Sequence, residues 1–273
     1  MKILLLTILT IGSALGYNIL CIQKAPTKSH YHLLKGFVQP LLKSGHQVTF
    51  ITAFPESKPT ANLTYIDVSS TIKLLEDIFS NNPTPDTSLA NVMDFGRILT
   101  ERIAEMPAVK DIIVKGRFDA VVTEFFFSDL DSGFAAVLQV PWILLCSTIV
   151  DPHLEHMVDT VRSVPVVPLP LSLLPMPMNT WERMQNLFGH LFMSYTTWRS
   201  FPIQEESYNR LFSPLAKARG NTLPSFEEAY TNVSILFVNS HPTFVPVKSL
   251  PPNVIDIAGY HIGTTIPPLP KVS

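Results

Sequence analysis

One histidine and one glutamate stand at positions from which this chain could carry out acid–base chemistry. His30 opens an amphipathic helical stretch just after the first apolar segment, and Glu124 stands near the end of the apolar segment "FDAVVTEF". An imidazole titrates near neutral pH and can accept the proton of a reacting hydroxyl. A neighbouring carboxylate can orient the ring and stabilise its protonated form. The two residues predict a general-base site if the fold brings them together.

The elements that must position them form an alternating pattern of apolar segments and helices. Strands are predicted at 17–22, 47–53, 63–68, 118–125, 141–147, 234–240 and 253–259, and helices at 30–44, 86–115 with a break at 106–107, 129–139 and 179–220. Strands that are apolar throughout and separated by helices indicate an α/β fold with a doubly wound, Rossmann-like parallel sheet. Ligands of such sheets bind beyond the carboxyl ends of the strands, where strand order reverses. The first and fourth strands are neighbours there in the usual order, which predicts that His30 and Glu124 share one crevice.

The first helix carries its own start and stop signals. Ser29 is placed to cap a helix that begins at His30, Pro40 predicts a kink in its middle, and Gly45 predicts its end in a left-handed conformation.

Charge and loop chemistry argue against two classes of ligand for this half of the chain. Lysine and arginine number 20 against 22 aspartates and glutamates, with no basic stripe, which argues against a nucleic-acid partner. The loop after the first strand, "QKAPTKS", has no glycine-rich phosphate-binding motif, which argues against a nucleotide site here.

The only two cysteines, Cys21 and Cys146, fall in separate predicted strands. If those strands are not neighbours, the thiols lie too far apart to bridge. We expect two free, buried thiols, with neither a disulfide scaffold nor a metal site.

The first 16 residues, "MKILLLTILTIGSALG", have the features of a secretory signal peptide cleaved before Tyr17. Asn62 and Asn232 each begin an N-glycosylation sequon, which fits that route. We found no later stretch of about 20 uninterrupted apolar residues. These features predict a product of the secretory pathway, in the lumen of the endoplasmic reticulum.

The segment "SVPVVPLPLSLLPMPM" (163–178) contains six prolines in apolar surroundings, which exclude a regular helix. Two interpretations stay open at this point. The segment is either a packed extended loop or an apolar lip for a lipophilic ligand or a membrane surface.

An ordered set of motifs resembles the UDP-glycosyltransferase family, and its insect members in particular. Ser29-His30 is followed, after a helix, by Gly45-His46-Gln47-Val48-Thr49. Further matching segments follow in the family's order: "RFDAVVTEFFFSD" (117–129), "VPWILLCST" (140–148), "FVNSHPTF" (237–244) and "PPNVIDIAGYHIG" (251–263). The resemblance covers the whole chain after the signal peptide.

This resemblance implies the N-terminal half of a GT-B enzyme, with an acceptor-binding domain over 17–263 and the start of an interdomain linker at 264–273. The family transfers a hexose from a UDP-sugar to a hydroxyl of a small lipophilic acceptor, with inversion. The UDP-sugar is a co-substrate bound mainly by a C-terminal donor domain, whose signature is absent from this sequence. The resemblance therefore implies no cofactor and no metal, and a chain that is inactive by itself.

The resemblance also assigns roles to individual residues. His30 matches the family's general base, and Glu124 stands where the family usually carries aspartate, with Asp129 and Asp131 as fallback partners on the next helix. Acceptor contacts are expected from Ser29, Phe125 and Phe127. Four other histidines are interpreted as structural: His32, His46, His241 and His261.

A rival hypothesis from a different class is a non-catalytic binding or regulatory protein. It would hold a hydrophobic ligand or form oligomers with full-length relatives. A secreted hydrolase is a weaker third hypothesis, because no G-x-S-x-G motif is present.

Overall fold

A single parallel sheet runs through the chain. The computed structural model describes residues 16–58, 60–80, 88–160, 163–170, 172–241, 243 and 250–263. Within these, the sheet has seven strands in the order β3-β2-β1-β4-β5-β6-β7. Their bounds are β1 Asn18–Ile22, β2 Gln47–Thr52, β3 Leu63–Asp67, β4 Ala120–Glu124, β5 Trp142–Cys146, β6 Val233–Val238 and β7 Val254–Asp256. The predicted doubly wound α/β fold is confirmed, and β1 and β4 are neighbours at the point where strand order reverses.

Helices cover both faces of the sheet. They are α1 Lys28–Lys43, α2 Ile72–Ser80, α3 Leu89–Glu105, α4 Pro107–Lys115, α5 Ser132–Leu138, α6 Pro152–Met157, α7 Thr180–Arg219 and α8 Phe226–Thr231, with a 3₁₀ turn at Ser69–Thr71. The break predicted at 106–107 separates α3 from α4. The sequence prediction missed α2, α6 and α8, and two of these are only six residues long. Capping residues could have revealed them, since Asp151 caps α6 and Ser225 with Glu228 forms a capping box on α8.

Helix α1 begins earlier than predicted. Its first residue is Lys28 and its N-cap is Thr27, which makes no side-chain capping bond. Ser29 lies inside the helix and is exposed, so the prediction that it caps the helix is wrong. Gly45 follows the helix end with φ of +86°, as predicted. The helix continues through Pro40, and the predicted kink stays a prediction.

The core consists of two clusters, one on each face of the sheet. Helix α1 covers one face, where Leu34 packs with Val122 and Leu145. The opposite face carries Val121 and Leu144 and packs against α4, α5, α7 and α8. Because side chains alternate along a strand, Glu124 lies on the same face as Val122, under α1. This alternation determines which helix can meet the glutamate.

The longest helix, α7, has 40 residues and two unlike halves. Its second half is buried against α5, where the rings of Phe134 and Phe212 meet edge to face at 5.1 Å. Its first half exposes an apolar face, in which Trp198 is 73% exposed. The other exposed apolar residues of this face are Trp181, Met184, Leu187, Phe188, Leu191, Phe192 and Tyr195. From Met184 to Trp198 the sequence carries no lysine, arginine, aspartate or glutamate. Among the residues described, no helix has the combined length and hydropathy needed to cross a membrane.

The described part of the proline-rich segment packs on α7 as an extended loop. Asn186 accepts a hydrogen bond from the backbone of Leu169 at 2.7 Å and donates to the carbonyls of Val164 and Val167. Leu173, further along, is fully exposed. The predicted signal peptide, apart from Gly16, and the predicted linker lie outside the described residues.

Candidate active site

His30 and Glu124 are brought together at the carboxyl edge of the sheet. Glu124 is the last residue of β4, and His30 is the third residue of α1, which follows β1 after a short loop. The side chain of Gln23 holds that loop by donating to the carbonyls of Ala25 and Thr27. A short hydrogen bond joins Nδ1 of His30 to Oε1 of Glu124. The predicted juxtaposition is therefore present.

A third residue, Ser147, completes the cluster, and the sequence prediction missed it. Its hydroxyl donates to Oε1 of Glu124 at 2.8 Å and lies 3.5 Å from Nδ1 of His30. Asn239, just beyond β6, donates to the Ser147 carbonyl at 3.2 Å. A signal was available in the sequence, because Ser147 directly follows the fifth strand at the edge where ligands of such sheets bind.

Burial and charge act in opposite directions on the imidazole. Glu124 is 1% exposed, whereas the side chain of His30 is 22% exposed. Burial alone would lower the pKa of His30, but the hydrogen bond to Glu124 and the negative charge of that carboxylate outweigh burial, so the pKa is raised. The site holds a half-buried histidine with increased proton affinity above a fully buried carboxylate.

The aromatic ring against His30 belongs to Phe126. Its centroid lies 5.4 Å from that of the imidazole, with the two planes at 82°. Phe125 is a buried core residue instead, and its ring lies 5.9 Å from Phe127 and 5.4 Å from His153. The sequence prediction named the two flanking rings and left out the one that contacts the histidine. Alternation alone could not find it, because the chain leaves the strand at Glu124.

The two aspartates offered as fallback partners for His30 are bound elsewhere, so that expectation is wrong. Asp129 pairs with the buried His153. Asp131 lies 2.5 Å from the ammonium group of Lys24 and accepts a hydrogen bond from Thr100 at 2.8 Å. Both aspartates also precede α5, and Asp131 is its N-cap. These buried pairs fix the segment between β4 and α5.

A cavity of about 390 Å³ opens between α6, α7 and α8. One of its walls is His153, which contacts the ring of Phe125, the residue that directly follows Glu124 in the chain. Aromatic and polar side chains contribute to the lining, among them Asp129, His156, Met193, Trp198, Phe201 and Tyr230. Its size and mixed lining are typical of sites for small organic ligands.

The four histidines interpreted as structural and the two sequon asparagines lie on the surface or in structural contacts. His32 is exposed, and His46 accepts a hydrogen bond from the backbone of Tyr17 at 3.0 Å. His241 and His261 are exposed near the end of the described chain. Asn62 and Asn232 are both exposed, and their glycosylation stays a prediction.

Both cysteines are buried and free, as predicted. Strand β4 separates the strands that carry them. Within the part of the chain that the structure describes, no group of three or more histidine, cysteine, aspartate or glutamate side chains is arranged to hold a metal ion.

Comparison with known proteins gives consistent matches over nearly the whole chain. The family model described as "UDP-glucoronosyl and UDP-glucosyl transferase" matches residues 22–272. UDP-glucosyltransferase 2 of Dactylopius coccus is 30% identical over 260 residues, which cover 90% of this chain and 48% of that protein. Ecdysteroid UDP-glucosyltransferase of Lymantria dispar multicapsid nuclear polyhedrosis virus is 24% identical over 266 residues, covering 92% and 51%.

Solved structures align less closely. The crystal structure of CalG4, the calicheamicin glycosyltransferase, aligns with a TM-score of 0.45 and 15% identity, over 89% of this chain and 51% of that one. The chain spans about half the length of the curated relatives it matches.

Proposed function

Because the chain belongs to the UDP-glucuronosyl and UDP-glucosyl transferase family, we propose that it is the acceptor-binding, N-terminal half of a GT-B enzyme. The enzyme transfers a hexose from a UDP-sugar to a hydroxyl of a small lipophilic acceptor, with inversion at the anomeric carbon. One observation carries the proposal: the hydrogen-bonded pair of His30 and Glu124 at the point where strand order reverses.

His30 is the general base of this reaction. Its Nδ1 is engaged by Glu124, which leaves Nε2 to accept the proton of the acceptor hydroxyl. As that proton moves to Nε2, the hydroxyl oxygen forms a bond to the anomeric carbon, and the bond from that carbon to the UDP oxygen breaks. UDP leaves with the bonding electrons. The increased proton affinity of His30 supports this role.

Glu124 orients the imidazole and stabilises its protonated form. A carboxylate bound to Nδ1 fixes the tautomer in which Nε2 is unprotonated, as in other histidine-based sites. Ser147 donates to the same carboxylate oxygen and limits its rotation. Glutamate therefore fills the role for which the family usually carries aspartate, with the longer side chain held at the end of β4.

The acceptor binds against the aromatic side chains beside His30. Phe126 lies at the edge of the imidazole. Phe127 is half-buried beside them, whereas Ser29 is exposed at the start of α1. Apolar area provides most of the affinity for such a ligand.

The UDP-sugar is held mainly by a second half, of the kind present in the longer relatives. The loop after β1 has no glycine-rich phosphate-binding motif, which supports that division of labour. The apolar N-terminus and the two sequons, whose asparagines are exposed, support a place in the lumen of the secretory pathway.

The test joins this chain to the second half of the Dactylopius coccus UDP-glucosyltransferase 2 and measures initial rates of glucose transfer from UDP-glucose to a simple phenol. His30→Ala should reduce turnover by about 10²- to 10⁴-fold. His32→Ala, two residues further along the same helix and exposed, is the matched control and should be nearly silent.

The acceptor KM should change little in His30→Ala, since binding rests mainly on apolar contacts. A fused protein in which His30→Ala keeps near wild-type rates would show that the base has been misassigned. A wild-type fusion that binds the phenol without transferring glucose would favour the non-catalytic binding protein instead.

A further inference from the structure

Tyr260 lies in a short segment that follows β7 and packs on α1. The backbone of Ile257 donates to Val238 at 2.9 Å, and that of Tyr260 donates to Ile257 at 3.1 Å. The Tyr260 ring meets Phe37 of α1 edge to face, with centroids 6.4 Å apart. The fit is tight, because a Cβ atom at Gly36 would lie 2.6 Å from Cα of His261. The segment leaving the sheet is therefore pressed against the helix that carries His30.

Tyr260 and Glu124 share one face of the sheet. The tyrosine packs with the cluster beneath α1 that contains Val122 and Leu145. Glu124 follows Val122 by two positions and is the last residue of β4. Side chains two apart on a strand point to the same side, so the carboxylate and the phenol both lie under α1.

Each of the two side chains has a buried polar atom with no hydrogen-bond partner among the described residues. These atoms are Oε2 of Glu124 and the hydroxyl of Tyr260. One is an acceptor and the other is a donor. A buried polar group left unsatisfied is costly, and native structures contain few of them. Two complementary orphan atoms on one face of the sheet therefore call for a common explanation.

We propose that Tyr260 is a positioning residue for the catalytic pair, whose hydroxyl donates a hydrogen bond to a water molecule that in turn donates to Oε2 of Glu124. The carboxylate is then bound at both oxygens: Oε1 by His30 and Ser147, and Oε2 by Tyr260 through that water. For its effect on turnover, this inference depends on the function proposed above. Its effect on the proton affinity of His30 does not.

Among the described residues, the titratable groups that interact with the charge of Glu124 are His30, Cys146 and Tyr260. Burial, with a smaller contribution from the charge of Glu124, raises the pKa of Tyr260. Burial raises the pKa of the Cys146 thiol to about 12. Both groups therefore stay protonated near neutral pH, where the phenol can donate a hydrogen bond. His30 is the member of this group that titrates in that range.

The expected direction of the change in the His30 pKa depends on which protonation state of His30 the Tyr260 hydroxyl stabilises more. When His30 is protonated, its charge already compensates the carboxylate. When His30 is neutral, the carboxylate charge depends more on the Tyr260 hydroxyl. Removing that hydroxyl destabilises the neutral-histidine state more than the protonated state, so His30 should hold its proton more tightly.

The test is an NMR titration of ¹³C-labelled histidine in the full 273-residue chain, with Tyr260→Phe compared with wild type. The His30 midpoint should move upward by about 0.5 to 1 pH unit. Tyr208→Phe is the matched control, because it removes a buried hydroxyl that donates to Pro224 on the opposite face of the sheet. It should leave the midpoint unchanged.

A double-variant cycle separates this role from a structural one. In a Glu124→Gln background, Tyr260→Phe should no longer move the His30 midpoint, because the charge that the phenol stabilises is gone. A midpoint in Tyr260→Phe that is unchanged or lowered would overturn the proposal. An upward shift of equal size in the Glu124→Gln background would overturn it as well, since the phenol would then act without the carboxylate. If the fused enzyme transfers no glucose, the titration still decides the role of Tyr260.

Discussion

Ser147 donates a 2.8 Å hydrogen bond to Oε1 of Glu124, the same carboxylate oxygen that binds His30. The two donors reach that oxygen from different elements, Ser147 from the end of β5 and His30 from the start of α1. Each bond to an ionised acceptor is stronger than a neutral one. The ends of three adjacent strands thereby set the direction of one imidazole ring.

The first prediction is that Glu124→Gln lowers the pKa of His30. Burial, which lowers that pKa, remains in the variant, while the carboxylate charge that outweighs it is removed. NMR titration of the chain should show the His30 midpoint below that of wild type. In the fused enzyme, the acid limb of the rate profile should move to lower pH while the maximal rate falls. A midpoint that stays raised would mean that another group sets it.

The pair of His30 and Glu124 also determines the direction in which the stability of the folded chain changes with pH. The pKa of His30 is raised in the folded chain, so its contribution to stability is fully present below the ordinary imidazole value of about 6.5. That contribution should be lost as pH rises through the raised value. Urea unfolding measured across this pH window should show that the free energy of unfolding falls more steeply with rising pH for wild type than for Glu124→Gln.

A second prediction concerns the buried pair of Lys24 and Asp131. Lys24→Met leaves the Asp131 carboxylate buried without its cation, which typically costs about 3–5 kcal/mol. Lys115→Met breaks a pair with Asp111 in which both side chains are exposed, and should cost within about 1 kcal/mol. Urea denaturation of the two variants measures the difference. Equal losses in the free energy of unfolding would mean that breaking the buried pair costs no more than breaking a surface pair.

Third, Gly133→Ala should destabilise the chain. A Cβ atom at Gly133 would lie 2.2 Å from ring atoms of Phe212, which is fully buried and cannot move aside cheaply. Overpacking of this kind costs about 1–3 kcal/mol. The control is Gly189→Ala, also within a helix, where the nearest contact is the end of the Leu169 side chain at 3.1 Å. The control should be near neutral in thermal unfolding, and a comparable fall in both melting temperatures would contradict the packing explanation.

Fourth, the chain made in insect cells should begin at Tyr17 and carry glycans at Asn62 and Asn232. The asparagines of both sequons are exposed in the fold. Thr64→Ala and Ser234→Ala should each remove one glycan, as measured by intact mass. These substitutions leave Asn62 in place at its φ of +62°, a conformation that asparagine tolerates better than most residues. A chain that stays inside the cell with an intact Met1 would show that the secretory hypothesis is wrong, and a secreted chain with unmodified asparagines would show that the two sequons are not used.

Much of the fold was predictable because it follows from burial. Strands buried on both faces are apolar throughout, and their usual order is enough to place His30 and Glu124 in one crevice. The short helices escaped prediction, because six residues are too few to show a helical period. Their capping residues carried the remaining signal.

The details of the site depend on contacts that periodicity does not encode. Ser147 and Phe126 stand just after strands, where alternation ends and loop geometry decides direction. Judged by sequence distance alone, Asp129 or Asp131 could have been the carboxylate partner of His30. Their engagement by His153 and Lys24 is a tertiary result, visible only once the elements are packed.

The uncharged, outward face of α7 has a practical consequence for anyone handling this chain. Charge repulsion between protein molecules opposes their aggregation in solution, and the formal net charge of this chain is only −2. Little electrostatic repulsion therefore opposes the association of two molecules through their apolar surfaces. This surface includes Trp181, Phe188, Phe192 and Trp198. Concentrated samples should scatter light increasingly as the pH approaches the isoelectric point, and mild detergent or added negative charge should restore clear, filterable solutions.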